Sequence, residues 1–297
     1  MRNAVSDTAS RYCTLALAPL RAAGAALACA VSVLALPAWA TGSTDDFESY
    51  TVGNFPSAQW QDAALLFPEP PSFATPSAAV ASTTGATGAA TQALVLADRV
   101  ALVSGVYQSV PVSTQYTLAA DIRIDRYSNN SLADPSDWAM QLTFAQATRT
   151  LYTAPQAGIY AASLSQGWRL FLIEDTGPIS ADIDLGAVAT PGSWYRVAFE
   201  LDTTLGSYKV QIDDMTAGQN VVSQTGVFAG WTAANGKYDS VAFFSGHDTS
   251  NAAVTIANQA TVDNINVTAV PEPATAWLWA AGLGAAGWLR RRKAAAR

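Results

Sequence analysis

Hydrophobic and polar positions alternate with a period of two through most of the middle of the chain. From Tyr116 to Ile124, the residues Tyr116, Leu118, Ala120, Ile122 and Ile124 share one face, and Asp121, Arg123 and Asp125 share the other. Successive side chains of a strand point to opposite faces, so this pattern predicts a half-buried strand. Trp194–Asp202 repeats it, with Tyr195, Val197, Phe199 and Leu201 inward and Arg196 and Glu200 outward. Thr203-Thr204-Leu205-Gly206 then supplies a turn, and Ser207–Asp213 returns with Tyr208, Val210 and Ile212 on one face, which predicts a hairpin. Shorter candidates are 93–97, 105–110, 138–144, 158–162, 168–174, 182–185, 221–227, 240–245 and 262–267. No stretch between residues 41 and 269 keeps a helical period. Many short strands separated by Gly, Asn, Asp and Ser predict an all-β antiparallel sandwich or barrel.

Two segments depart from the pattern. Phe67–Ser77 holds Pro68, Pro70, Pro71 and Pro76 and reads as an extended connection. Ala78–Gln92 is mostly Ala, Thr, Ser and Gly, too poor in large side chains to build core, and is expected to be a flexible excursion.

The ends have a different character. Arg2, Arg11 and Arg21 precede an apolar run from Ala22 to Leu36, which closes on Pro37-Ala38-Trp39-Ala40. Small residues at Ala38 and Ala40 around a bulky one are what a signal peptidase site requires, so residues 1–40 read as a signal peptide with Thr41 as the mature start. At the other end, Pro271-Glu272-Pro273 is followed by an apolar run from Ala274 to Leu289, then by Arg290, Arg291, Arg292, Lys293 and Arg297. A basic cluster resists crossing the bilayer and acts as a stop. Sixteen helical residues cover only ~24 Å of a ~30 Å hydrocarbon core, so the transmembrane helix is a marginal one. This order of motif, short span and basic tail resembles the PEP-CTERM sorting signal of Gram-negative bacteria. The resemblance implies transient retention in the inner membrane, recognition of Pro271-Glu272-Pro273 and cleavage nearby by an exosortase. The chain thus divides into a signal peptide (1–40), an exported β domain (41–269) and a sorting signal (270–297).

Setting the ends aside changes the composition. Residues 41–269 hold 21 Asp and Glu against 8 Lys and Arg, a net charge of −13, where the whole chain carries −7. Such a surface disfavours nucleic acid, whose binding rests on neutralising phosphates with Lys and Arg. Both cysteines, Cys13 and Cys29, precede residue 40, so the exported segment has no thiol for a disulfide, a metal or a nucleophile.

Within 41–269, three stretches carry a second resemblance. They are Asp45-Asp46-Phe47-Glu48-Ser49-Tyr50 with Val52-Gly53 and Trp60, the hairpin from Trp194-Tyr195-Arg196-Val197 to Ile212-Asp213, and Val262-Asp263-Asn264-Ile265-Asn266-Val267. Together they are similar to the opening, later and closing strands of concanavalin A-like (laminin G-type) jelly rolls. The resemblance implies that the first and last strands lie side by side, and that glycan or calcium binding is within the group's range.

Candidate chemistry is sparse. Glycoside hydrolysis needs two carboxylates facing across a cleft, ~5–10 Å apart. The Glu-x-Asp-x-Glu strand of jelly-roll glucanases is absent. Asp182-Ile183-Asp184 puts two carboxylates on one face without a glutamate, and Glu174-Asp175 and Asp213-Asp214 are adjacent pairs aimed to opposite sides. His247, the single histidine, follows the apolar strand 241–244 and reads as a loop residue without a nucleophile elbow beside it. Calcium takes six to eight oxygen ligands. Asp46, Glu48 and Asp263 could converge for it if the first and last strands are neighbours. Asp263 shares the parity of Ile265 and Val267 and is expected on the core side, where a carboxylate needs a cation or several donors. The aromatic residues are chiefly core material. Trp231, in the turn-rich segment 230–236, is the one expected to offer a face to a sugar ring.

These readings describe an exported protein without catalytic activity, sorted to the cell surface or extracellular matrix, with polysaccharide as its candidate partner. Signal peptidase and exosortase are its processing partners, and structural calcium its one candidate cofactor. Two alternatives stay open: a jelly-roll hydrolase or lyase acting on carbohydrate, and a purely structural surface protein.

Overall fold

The computed structural model describes residues 41–63, 78–97, 104–126, 137–146, 155–162, 167–173, 179–232, 237–247 and 258–270. All of them fall within one compact unit, Ala40–Pro271. The signal peptide with Ala38 and Ala40, the triplet Pro271, Glu272 and Pro273, and the basic stop Arg290–Lys293 lie outside the described residues. So does the apolar run 274–289. Among the described residues, no helix is long and apolar enough to cross a membrane.

The described chain is an antiparallel β-sandwich. One sheet has the order β13 (Gln219–Val227), β12 (Ser207–Asp214), β11 (Trp194–Asp202), β6 (Gln115–Arg126), β15 (Gln259–Val270), β4 (Ala90–Ala97), β3 (Ala78–Thr84). The short β1 (Thr41–Asp45) also pairs with β15. The second sheet runs β10 (Ile179–Asp184), β9 (Trp168–Ile173), β8 (Gln156–Ala162), β7 (Asp137–Ala145), β14 (Ser240–His247), β5 (Ser104–Ser109), β2 (Gln61–Asp62). Along its length β15 keeps β6 on one side. On the other it meets β4 in its first half and β1 in its second. The first and last strands are therefore neighbours, as the jelly-roll resemblance implied.

Inward faces follow the period of two. Leu118, Ala120, Ile122 and Ile124 of β6 meet Val197, Phe199 and Leu201 of β11 and Val210 and Ile212 of β12 in one buried cluster. The second sheet adds Met140, Leu142, Phe144, Ile159, Leu170, Val241 and Phe243 to it. At its centre Phe144 packs on Tyr116 at 4.9 Å and Phe199 at 5.8 Å between ring centres, spacings at which aromatic pairs attract beyond their burial.

Three expectations need correction. Ala78–Gln92 is no flexible excursion: Ala78–Thr84 pairs residue by residue with Ala90–Leu96, a hairpin of small residues held by its backbone ladder. Its outer edge is covered too, because Gly53 and Asn54 exchange backbone hydrogen bonds with Val80. His247 is no loop residue but the last residue of β14, opposite Asp137. The core-side placement of Asp263 also fails. A β-bulge sets Asp263 opposite Asp121 and Asn266 opposite Ala119, three residues of β15 against two of β6. One extra residue reverses strand parity. Asp263 therefore shares the outer face with Asp121, while Ile265 and Val267 beyond the bulge point into the core.

Candidate functional site

The bulge in β15 creates a buried polar site on the outer face of the larger sheet. Asn264 there has a φ of +50°, the left-handed region that asparagine tolerates better than most residues. Its backbone N–H donates to Asp263 Oδ1 at 2.8 Å, and its side-chain Nδ2 donates to Asp121 Oδ2 at 2.9 Å. One asparagine thus serves two carboxylates that face each other across β6 and β15. Asp121 is 1 % exposed and Asp263 2 %. Arg196, its cross-strand neighbour on β11, grips Asp121 with two 2.8 Å bonds from Nε and Nη2, the bidentate fork that best offsets a buried carboxylate.

Among the described residues, no cation is paired with Asp263. Its Oδ2 lies 3.2 Å from Thr91 Oγ1, which lies 2.6 Å from Glu48 Oε1. Gln92 N also donates to that Glu48 oxygen, at 2.8 Å. A hydroxyl has one proton to give, and the shorter contact takes it. These bonds, Thr91 first and Gln92 next, hold Glu48 below the usual carboxylate range. Asp263 shows the opposite: burial pushes it up to about 6, the nearby carboxylates Asp121 and Glu48 add to the rise, and the bond from Asn264 N opposes it. A protonated Asp263 donates to Thr91, Thr91 donates to Glu48, and every group in the chain is satisfied.

The structure brings two of the three candidate calcium ligands, Glu48 and Asp263, together at Thr91. Asp46 is spent on its own turn, accepting from Glu48 N at 3.2 Å. Glu48 and Asp263 share one hydroxyl, and Asp121 is already neutralised. Among the described residues, no group of three His, Cys, Asp or Glu side chains is placed to hold a metal ion.

The other candidates are committed elsewhere. Asp182 and Asp184 do share a face, but Arg169 takes both, at 2.7 and 3.8 Å, and the Tyr160 hydroxyl donates to Asp182 at 3.1 Å. Asp213 accepts from Gln211 and Asn220, and Asp214 caps the hairpin turn at Ala217 N. Glu174, Asp175 and the His247 side chain lie outside what is described. Trp231 is half-buried: its ring stacks on Phe228 at 5.9 Å, its Nε1 donates to Thr203 O at 3.0 Å, and Gly206 lies directly against it. It braces the β11–β12 turn, and the large exposed apolar side chains among the described residues are Val52, Val112, Val188, Leu205 and Val227, none of them aromatic.

Two features escaped sequence reasoning. The first is the role of Asp45, which is buried and accepts from Phe47 N, Tyr50 Oη and Trp60 Nε1 at 2.9, 3.0 and 2.8 Å. This carboxylate ties the opening stretch 45–60 into one knot and fixes Phe47 at a φ of +58°. Burial, followed by the hydrogen bond to Asp45, raises the Tyr50 phenol. The second is an open cleft of about 380 Å³ beside the knot, lined by Asp46, Ser49, Gln59, Asn264 and Asn266 among others. Its polar lining is carboxylate, amide and hydroxyl, with Ile265 beside them. The only local signal for it was the Asn and Asp content of 263–266.

Comparison with known proteins identifies the tail. Residues 269–293 match the PEP-CTERM protein-sorting motif. The chain carries the signal of an exported protein that an exosortase processes at the membrane, with the cell surface or extracellular space as its destination. No curated protein matches the chain in sequence. Among solved structures, a sialidase is similar over 77% of this chain at 14% identity and a TM-score of 0.47, and the chain spans 18% of its length. Basic winged bean lectin, solved with Tn-antigen, is similar over 77% of this chain and 98% of its own at 8% identity and a TM-score of 0.49. Lectin II from Ulex europaeus gives 77%, 97%, 9% and 0.45 for the same four quantities. At such values nothing about ligands is carried over.

Proposed function

We propose that the exported domain is a non-catalytic surface or matrix protein, and that its partner is extracellular polysaccharide. The observation that carries the non-catalytic reading is the use of its carboxylates. Asp121, Asp182 and Asp184 are held by arginines, Asp45 by three donors, and Glu48 and Asp263 share Thr91. General acid–base work on a glycosidic bond needs two carboxylates open to one substrate. The polysaccharide reading rests on the cleft beside the Asp45 knot. Its amides and carboxylate, from Asn264, Asn266, Gln59 and Asp46, can bind sugar hydroxyls as donors and acceptors, with the Ser49 hydroxyl beside them. Contact would be polar, without an aromatic platform at Trp231.

The test is a glycan array on the processed protein recovered from cells, with and without calcium, beside a variant carrying Asn266→Ala and Gln59→Ala. Binding to an acidic or neutral polysaccharide that the double variant loses supports the reading. Binding that the double variant keeps refutes the cleft, and no binding in any arm refutes the polysaccharide partner. Release of reducing ends from any bound glycan would restore the enzyme alternative.

A further inference from the structure

The sorting signal begins inside the folded domain. The matched motif starts at residue 269, while β15 runs on to Val270. Ala269 is flanked on both sides, facing Thr41 of β1 and Tyr116 of β6, and is 1 % exposed. Val270 faces Gln115. Its carbonyl accepts a hydrogen bond from the Ser113 hydroxyl, an oxygen that also accepts from Gln115 N at 3.2 Å and lies 3.0 Å from the Gln115 carbonyl. Ser113 is itself anchored. Its N–H donates to the Tyr116 hydroxyl at 2.6 Å, which donates to the carbonyl of buried Tyr238 at 2.7 Å. Thr203 holds the neighbouring carbonyls of Ser113 and Thr114. The last carbonyl before Pro271 is thereby tied to the domain core.

Proline has no N–H to donate to a ladder, and no spacer separates the triplet from the last residue of β15. Three extended residues reach at most ~11 Å beyond β15. An enzyme that takes an extended substrate must either work within that distance of the domain or wait for the strand end to open. Residues paired on both sides cannot enter a binding cleft while they remain in the sheet.

We infer that the end of β15 is a latch on sorting: exosortase engages the signal after Ala269 and Val270 leave β1 and β6, and Ser113 is the positioning residue that sets how often they do. This rests on the exosortase reading of the tail and concerns access alone. Local opening governs the reaction of protected backbone whenever closing is faster than capture.

The experiment is pulse-chase of the full chain in a host carrying the exosortase, with the precursor and product resolved by size. Pro271, Glu272 and Pro273 changed together to alanine is the control on the sorting reading, and Gly-Ser-Gly-Ser inserted between Val270 and Pro271 releases the signal while leaving every domain contact in place. Ser113→Ala removes the latch bond. Gln115→Cys with Val270→Cys closes it reversibly, since facing strand residues lie within disulfide reach and the exported segment has no other cysteine. Ser113→Ala is expected to shorten the processing half-life about 3- to 10-fold, the change in opening when one hydrogen bond is lost, and the insertion, which makes opening unnecessary, by at least as much. The disulfide should slow processing until reductant is added. If the alanine triplet blocks processing but the insertion leaves the half-life unchanged, the latch is refuted and the sorting reading stands. If the alanine triplet is processed normally, the sorting reading fails and the latch falls with it. Should Ser113→Ala fail to fold, the insertion and the disulfide decide.

Discussion

Replacing Asp263 with asparagine should make this protein more stable at pH 8 and leave it unchanged near pH 4. The carboxyl is raised from 3.8 to about 6 in the folded state. A raised carboxyl favours folding where it is protonated, so its contribution is fully present below about 4. It is lost as pH rises through about 6. At ~1.4 kcal/mol per pH unit, the rise sets an upper bound of about 3 kcal/mol. Water at the neighbouring exposed Glu48 screens the site, which lowers the figure to about 1–2 kcal/mol. Asparagine keeps the acceptor for Asn264 N and supplies a permanent donor toward Thr91, so it reproduces the protonated state at every pH. The assay is urea unfolding followed by tryptophan fluorescence at pH 4, 5, 6 and 8, comparing the two proteins at each pH so that all other titrations cancel. A gap that opens between pH 4 and 6 and holds to pH 8 supports the reasoning. An asparagine variant less stable than the parent at pH 8 would refute it, because the ionised carboxylate would then be favourable. A parent stabilised by millimolar calcium beside an indifferent variant would identify the cause as a cation.

Other perturbations test the frame around this site. Asp45→Ala leaves Trp60 Nε1 and Tyr50 Oη without their acceptor in a buried knot and should cost about 3–4 kcal/mol in urea unfolding; a loss under ~1 kcal/mol would show that water replaces the carboxylate. Arg196→Ala strips the fork from a 1 % exposed Asp121 and should cost about 2–3 kcal/mol, the arginine's own half-exposure keeping it below the usual figure for a fully buried pair. Gly206→Ala puts a methyl 2.2 Å from the Trp231 ring at a φ of +65° and should cost about 2–3 kcal/mol, with a changed near-UV spectrum from the displaced tryptophan. An unchanged spectrum would mean that the ring does not rest on that turn.

The sequence by itself determined the strands whose two faces differ. Burial of one face leaves a period of two, so Tyr116–Ile124, Trp194–Asp202 and Ser207–Asp213 were legible and lie within β6, β11 and β12. The sorting tail was legible for another reason, since a processing enzyme reads a linear peptide and its motif must be contiguous. Where backbone pairing and small side chains hold a strand, no such trace remains. Thr41–Asp45 and Ala78–Thr84 have no large aromatic or long aliphatic side chain to bury beyond Val80, and backbone pairing with β15 and β4 makes them strands. The face of Asp263 was decided by a bulge, which exists only in the register between β15 and β6. That one residue joins Asp263 to Asp121 and separates it from the core. The contact of Ser113 with Val270 spans 157 positions of sequence, and the pairing of Thr41 with Ala269 joins the two ends of the domain. A local pattern records what each residue buries. Which distant backbone lies beside it depends on how the sheets close, and that closure sets the polar site and restrains the start of the sorting signal.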